Sequence, residues 1–514
     1  MLDTDQDGIE NRNCYTHFHA QFSSGGTFIL DTQGQPLYSY ADLHHRSGQY
    51  ANLLTRMGLK PGDRVMVQVE KTAECLFVYF ACLRAKLIYL PLNTAYGRDE
   101  VAYFVENAAP ALVICAPNAE PMFKQLLPET CQLATLDSQG AGSLTEALVA
   151  GNDSPKFETP LTQANDVAVI LYTSGTTGQP KGAMITHQNL VSNAQTLHSA
   201  WGWQPGDVLL HALPIYHIHG LFVATHLAVF NASPILFLPT FDPALIVELL
   251  PKATVYMGVP THYVRLLKQS GLDHAACRKM RLFTSGSAPL LPQTFTAFEA
   301  ATGHRILERY GMTETGMNTS NPLKGERKPG TVGPALPGVQ ARIVDSLGNP
   351  TDGSAAGELQ IRGPNVFKGY WRMPAKTREE FTADGYFKTG DLAQLDAEGY
   401  VAIVGRSKDM IISGGLNVYP KEIESVIDKL PGVVESAVIG VHDSDFGEAV
   451  TAIVISLEPR ELTEVDIINY LKHHLANFKI PKRVHFLPAL PRNTMGKVQK
   501  NVLREQFKQT PGPE

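Results

Sequence analysis

The chain has 514 residues, 44% of them hydrophobic and 18% charged, with a formal net charge of −6. That length should fill two or more domains with a sizeable core. The acidic balance and the lack of aromatic–basic interleaving exclude a nucleic-acid binder, and no apolar run approaches the roughly 18 residues that a membrane helix needs.

The acidic N-terminus, Met1 to Asp7, carries neither a secretory signal pattern nor a basic transit segment. Cys14, Cys75, Cys82, Cys115, Cys131 and Cys277 form no Cys-x-x-Cys pair, which suggests free thiols in a reducing compartment. A cytoplasmic enzyme is the expectation.

Tyr38–Gly58 has helical spacing and ends at a glycine, Asp63–Val69 reads as a strand, and Ala73–Ala85 reads as a helix. Leu87–Leu92 is an apolar run, Glu100–Asn107 helical and Ala111–Cys115 a short strand. This alternation predicts parallel βαβ units, an α/β fold. A β-type run, Val167 to Tyr172, then feeds a loop of hydroxyls and glycines: Thr173, Ser174, Gly175, Thr176, Thr177, Gly178 and, after Pro180, the cation Lys181. Glycines let backbone N–H groups approach an anion, hydroxyls add donors and lysine adds charge, the make-up of a phosphate clamp. A Walker loop is excluded because it needs Gly-Lys followed by Ser or Thr. A flexible linker is the other reading.

Helix-compatible sequence resumes near His187 and runs to Ala200. The βα rhythm continues through the strand Asp207–Leu213, the segment His217–Gly220, an apolar helix Leu221–Phe230, the strand Thr254–Gly258 and the helix His262–Gln269. Arg281–Ser285 and Ile306–Arg309 are further strands, the second ending in Tyr310 to Thr315. From Gly325 onward strand-like segments alternate with Gly, Pro and Asp turns, which predicts an antiparallel β-region. After Arg406–Lys408 a small α+β unit begins. The expected division is therefore a large domain, 1–406, and a small one, 407–514.

Further segments could carry chemistry. Glu314 lies beyond a strand end, where a carboxylate could hold Mg²⁺ on a polyphosphate; a solvent-facing helix acid is the plainer reading. Asp391, in Thr389-Gly390-Asp391, could accept ribose hydroxyls or simply sit in a turn. Gly405 to Asp409 places Arg406 and Lys408 at the domain junction, and Lys497 lies in a turn-rich loop near the C-terminus.

These glycine-punctuated segments, in this order, resemble the adenylate-forming superfamily of acyl-CoA synthetases, adenylation domains and luciferases. The stretches Tyr172–Gly182, Tyr310–Glu314, Tyr386–Asp391, Gly405–Asp409 and Pro491–Lys497 carry the likeness. The resemblance implies that a carboxylate attacks the α-phosphate of ATP, that the small domain then moves, and that coenzyme A displaces AMP. It implies that residues 173–178 and Lys181 cradle the β- and γ-phosphates, and that Gly286, Ser287, Ala288 and the run Glu308, Arg309, Tyr310, Gly311, Met312 flank the adenine. Thr313 would contact the α-phosphate, Glu314 would hold Mg²⁺, and Asp391 with Arg406 would hold the ribose. Lys408 would mark the hinge, Lys497 would bridge the two reacting anions, and Gly414 with Gly415 would line the coenzyme A path.

Leu307–Lys328, Pro329–Val339, Pro364–Lys376 and Pro491–Leu503 closely resemble malonyl-CoA synthetases. That likeness implies that Arg265 and Ser287 bind the distal carboxylate of malonate, beside His217 and Ile218, with Met317 at the pocket floor. Ile218 departs from the smaller or polar residue frequent there and brings methylmalonate tolerance into question. From the residues alone Arg265 also reads as a helix-surface cation. The competing functions are a synthetase for another short-chain or aryl acid, a loader of carrier proteins, and a non-catalytic nucleotide binder.

Overall fold

The computed structural model describes residues 11–22, 26–173, 180–413, 416–443, 447–457, 462–493 and 496–508. They form two compact units, Met1–Gln340 with Ile361–Phe387 and Ala341–Gln360 with Lys388–Glu514. The fold is the expected α/β arrangement of parallel sheets with an antiparallel region and a C-terminal α+β part.

The first unit holds two sheets. One has six strands in the spatial order Gln132–Thr135, Leu112–Cys115, Arg64–Gln68, Ile88–Pro91, Val167–Thr173 and Lys181–Thr186. All neighbours are parallel except the last pair. Leu112–Cys115 and Ile88–Pro91 are buried at every position, so they read as continuous apolar runs rather than as alternating ones. The helix Ala73–Arg84 fits between strands because it is buried at every residue but its first, and it starts where the Thr72 hydroxyl accepts from Cys75 N at 3.2 Å.

The other sheet has eight strands: Gly316–Ser320, Leu307–Met312, Leu282–Ser285, Val255–Gly258, Leu209–His211, Ile235–Phe237, Thr27–Leu30 and Pro36–Ser39. Its six inner strands are parallel and its two outer pairs antiparallel. Three antiparallel pairs thus close the two sheets, and two of them, Val167–Thr173 with Lys181–Thr186 and Leu307–Met312 with Gly316–Ser320, come from the motifs singled out above.

Two strands beside the motifs were not anticipated. Lys181–Thr186 pairs antiparallel with Val167–Thr173, so the phosphate-clamp segment joins two strands. Gly316–Ser320 pairs with Leu307–Met312, with Gly311 opposite Met317. Beyond Thr186 the helix His187–Ala200 begins at once. Thr186 Oγ1 accepts from Asn189 N at 3.1 Å while Asn189 Oδ1 accepts from Thr186 N at 2.9 Å, a capping box made with Asn. The apolar helix expected at Leu221–Phe230 instead opens as a wide π-helical turn, His219–Thr225, before His226–Phe230. Such turns recur at functional sites.

The second unit takes in most of a four-stranded sheet, Gln340–Val344, Gly357–Arg362, Phe387–Leu395 and Val401–Arg406, whose last two strands are antiparallel. It also holds a five-stranded sheet built on the long antiparallel pair Val433–Asp443 and Gly447–Ser456. Ile423 and Ile427 of the helix Pro420–Ile427 and Ile467 and Leu471 of the helix Glu464–Lys472 pack into its core. A further helix, Lys500–Phe507, places Leu503 in a second apolar cluster.

Candidate active site

Lys181 is the first residue of its strand and is only 7% exposed. Its ammonium lies 4.4 Å above the Tyr370 ring and 3.5 Å from Glu380 Oε1, so both an aromatic face and a carboxylate hold it. Ser174, Gly175, Thr176, Thr177 and Gly178 lie outside the described residues, and Thr173 marks the near end of that segment. Thr173 Oγ1 donates to Glu314 Oε1 at 3.2 Å. One hydrogen bond therefore joins the edge hairpins of the two sheets.

Glu314 is buried, not a solvent-facing helix acid. Tyr370 OH donates to the same Oε1 at 3.1 Å, and Phe367 N donates to the Glu314 carbonyl at 2.8 Å. Burial pushes the carboxyl above its ordinary value. Its own backbone N–H, the Tyr370 hydroxyl, the Lys181 charge and the Thr173 hydroxyl pull it back. Segment 364–371 carries these contacts. Met184 N donates to Gly369 O at 2.9 Å, Trp371 N to Gly182 O at 2.7 Å, and Asn189 Nδ2 to Pro364 O at 2.8 Å, which ties the segment to strand and helix alike.

A second group of residues gathers around the turn His219–Thr225. Ser287 adopts φ 70°, a left-handed conformation rare for serine, and its Oγ lies 3.3 Å from His219 Nδ1. Gly286 leaves no room for a Cβ, because the Arg309 guanidinium occupies that space. Arg309 is 3% exposed, and burial pushes its pKa down to about 9. Its Nε and Nη2, together with His219 Nε2, Thr284 Oγ1 and Ser285 Oγ, have no hydrogen-bond partner among the described residues. Burial, then the Arg309 charge, drives His219 well below its usual range, which leaves a neutral ring. Strand alternation separates Arg309 from Glu308 and Tyr310, so its side chain leaves their face.

A small cavity lies between Leu190, Asn193, Ile218, Phe222, Thr313 and Gly316, bringing Ile218 and Thr313 together. Met317 is fully buried against Gly311, and Asn193 Nδ2 donates to its carbonyl at 3.1 Å. His217 accepts from His219 N at 3.2 Å. Arg265 is exposed on the helix Pro260–Leu266, and its charge helps keep His262 neutral. Ala288 is half-buried beside Ser287.

In the second unit Asp391 and Arg406 are cross-strand partners, with Arg406 Nε 2.9 Å from Asp391 Oδ1. Lys408 lies in the one-turn segment Ser407–Asp409, where Arg504 binds Asp409 at 2.7 Å. Lys497 is half-buried, and its pKa is pushed down to about 8 by burial and the Arg406 charge, with Asp391 pulling the other way. The structure therefore groups Asp391, Arg406, Lys408 and Lys497. Gly414 and Gly415 lie outside the described residues.

The sequence profile of the AMP-binding enzyme family matches residues 20–371, and that of the AMP-binding enzyme C-terminal domain matches residues 422–497. The chain belongs to the AMP-binding enzyme family. The ATP-bound crystal structure of MatB from Rhodopseudomonas palustris is 51% identical with a TM-score of 0.94, covering 97% of this chain and 99% of that one. The malonate–CoA ligase of Arabidopsis thaliana is 35% identical over 90% of this chain and 80% of its own length. The mitochondrial malonate–CoA ligase of Mus musculus is 34% identical over 93% of this chain and 88% of its own.

Sequence reasoning assigned no role to three residues of this AMP-binding enzyme that the structure brings to the site. Tyr370 and Glu380 lie roughly 190 to 200 positions from Lys181, and no periodic pattern links them. Lys71 sits in the short connection between the strand Arg64–Gln68 and the helix Ala73–Arg84, at the sheet edge where α/β ligands bind. That placement was the available signal.

Proposed function

We propose that this AMP-binding enzyme is a malonyl-CoA synthetase. A malonate oxygen attacks the α-phosphorus of ATP, the bond to pyrophosphate breaks, and malonyl-adenylate forms. The sulfur of coenzyme A then attacks the acyl carbon, and AMP leaves.

The buried Arg309 guanidinium carries this reading. A fatty or aromatic acid would leave that cation buried without a partner, at a cost of several kcal/mol. Among the described residues the guanidinium Nε and Nη2 meet no hydrogen-bond acceptor, and the charges that act most on His219 are cations. A second substrate carboxylate supplies the missing anion. The side chain of Arg309 is thus assigned to the acid, with Ser287 and His219 beside it and Arg265 at the more exposed side. Ile218 and Met317 bound the space left for a short chain.

The remaining roles follow from the chemistry of the groups. Residues 173–178 and Lys181 hold the β- and γ-phosphates, Glu308 and Tyr310 lie by the adenine with Gly286–Ala288, and Asp391 with Arg406 receives the ribose. Lys497 neutralises the meeting anions. Glu314 fits a hard cation: Thr173 and Tyr370 both donate to its Oε1, which orients the carboxylate. A Mg²⁺ bound there would offset charge on the phosphates. Gly414 and Gly415 flank the route of the pantetheine thiol. The six cysteines are free, which suits a reducing compartment such as the cytoplasm.

ATP–pyrophosphate exchange with malonate, methylmalonate, acetate and benzoate tests the assignment. Malonate should exceed acetate and benzoate in kcat/KM by at least about 100-fold, because a site built to pair a charge rejects acids lacking it. Equal or better use of acetate or benzoate overturns it.

A further inference from the structure

Lys71 is a buried lysine outside every motif, 9% exposed, with no carboxylate beside it among the described residues. Its Nζ donates to His211 Nδ1 at 3.0 Å and to the His211 carbonyl at 2.9 Å, and it lies 4.3 Å above the Phe237 ring. The Gly220 carbonyl beside His211 Nε2 can only accept, which fixes the imidazole tautomer and leaves Nδ1 to accept from the lysine. With Nδ1 accepting, the proton sits on Nε2, which lies 2.9 Å from Gly220 O and 3.1 Å from Thr225 Oγ1. Thr225 Oγ1 donates to the same Gly220 carbonyl at 3.0 Å.

Gly220 is the second residue of the π-helical turn His219–Thr225, and a Cβ there would strike the Pro214 carbonyl. The turn presents Ile218 and His219, and His219 in turn meets Ser287. Lys71 follows a strand of the six-stranded sheet and His211 ends a strand of the eight-stranded one. The chain Lys71–His211–Gly220 therefore anchors the floor of the acid site from across the gap between the sheets.

We propose that Lys71 is a positioning residue for the acid: through His211 it holds the His217–Gly220 segment in the geometry that receives the substrate. This rests on the reading above that this segment lines the acid site. Burying a lysine amine with only neutral partners is costly, and burial pulls its pKa well below the ordinary lysine value, so its two hydrogen bonds to His211 are what hold it there.

The test measures KM for malonate and for ATP separately in Lys71→Met, which keeps the length and removes the donor. The expected result is a rise of about tenfold in the malonate KM with the ATP KM changed less than about twofold. In a His211→Gln background Lys71→Met should add less than about twofold, because both act through one contact. No change in the malonate KM, an equal change in both KM values, or additive effects overturns the proposal. Lys71→Gln goes through the same measurements if Lys71→Met does not fold, and failure of both to fold makes Lys71 a folding residue and also overturns it. If the wild type uses acetate and not malonate, the substrate assignment falls separately, and the Lys71 test runs on the acetate KM.

Discussion

Glu314 is a buried carboxylate with two neutral donors on one oxygen. Tyr370 does two things there: its hydroxyl orients Glu314, and its ring faces the Lys181 ammonium. Tyr370→Phe separates them, removing the hydroxyl and keeping the ring. We expect kcat/KM for Mg·ATP to fall about tenfold with little change in stability, since one hydrogen bond to a charged group is lost. A Mg²⁺ titration of the exchange rate checks this. Lys497 gives a pH prediction. Its charged form is the one that can bridge two anions, and its pKa is lowered to about 8. The rate kcat/KM for adenylation should therefore hold below that value and fall as pH rises through it. In Lys497→Arg, whose guanidinium stays charged, the alkaline fall should disappear even if the plateau is lower.

At the scale of elements, the two hairpins at the candidate site come from motifs, and both of their second strands were invisible in the sequence. Lys181–Thr186 opens with Lys, Gly and Ala and shows no period-two alternation. Gly316–Ser320 is polar, and yet four of its five residues are buried, with Asn193 meeting Met317, Asn365 meeting Asn318 and Trp201 meeting Ser320. Long βα units were legible because burial on both faces writes an apolar run directly into the residues, as at Ile88–Pro91. The candidate site was legible as motifs on separate strands. What could not be read was the packing of each side chain: Arg309 lies against Gly286, while strand alternation turns its neighbours Glu308 and Tyr310 to the other face. Gly286→Ala should force that guanidinium to move. A loss of about 1–3 kcal/mol in denaturant stability is expected, together with a larger loss of exchange with malonate than of ATP binding.

For the whole molecule, the proposed adenylation step draws on groups from both units. Lys497 lies with Asp391, Arg406 and Lys408 in the second unit, Glu314 and Lys181 in the first. Lys497→Ala should stop malonyl-adenylate formation while sparing thiolysis of supplied malonyl-adenylate; rapid-quench assays of each half-reaction read this directly, and loss of both would make the lysine structural. The hairpin at the phosphate segment has a broader consequence. Where such a loop opens onto a helix, the helix dipole contributes about half a positive charge that cannot be withdrawn. Here residue 181 opens a strand, so the positive charge rests on a side chain that already has Glu380 and Tyr370 to return to. On the proposed reading, the grip of Lys181 on pyrophosphate would be reversible, because Glu380 and Tyr370 can take the ammonium back when the anion leaves.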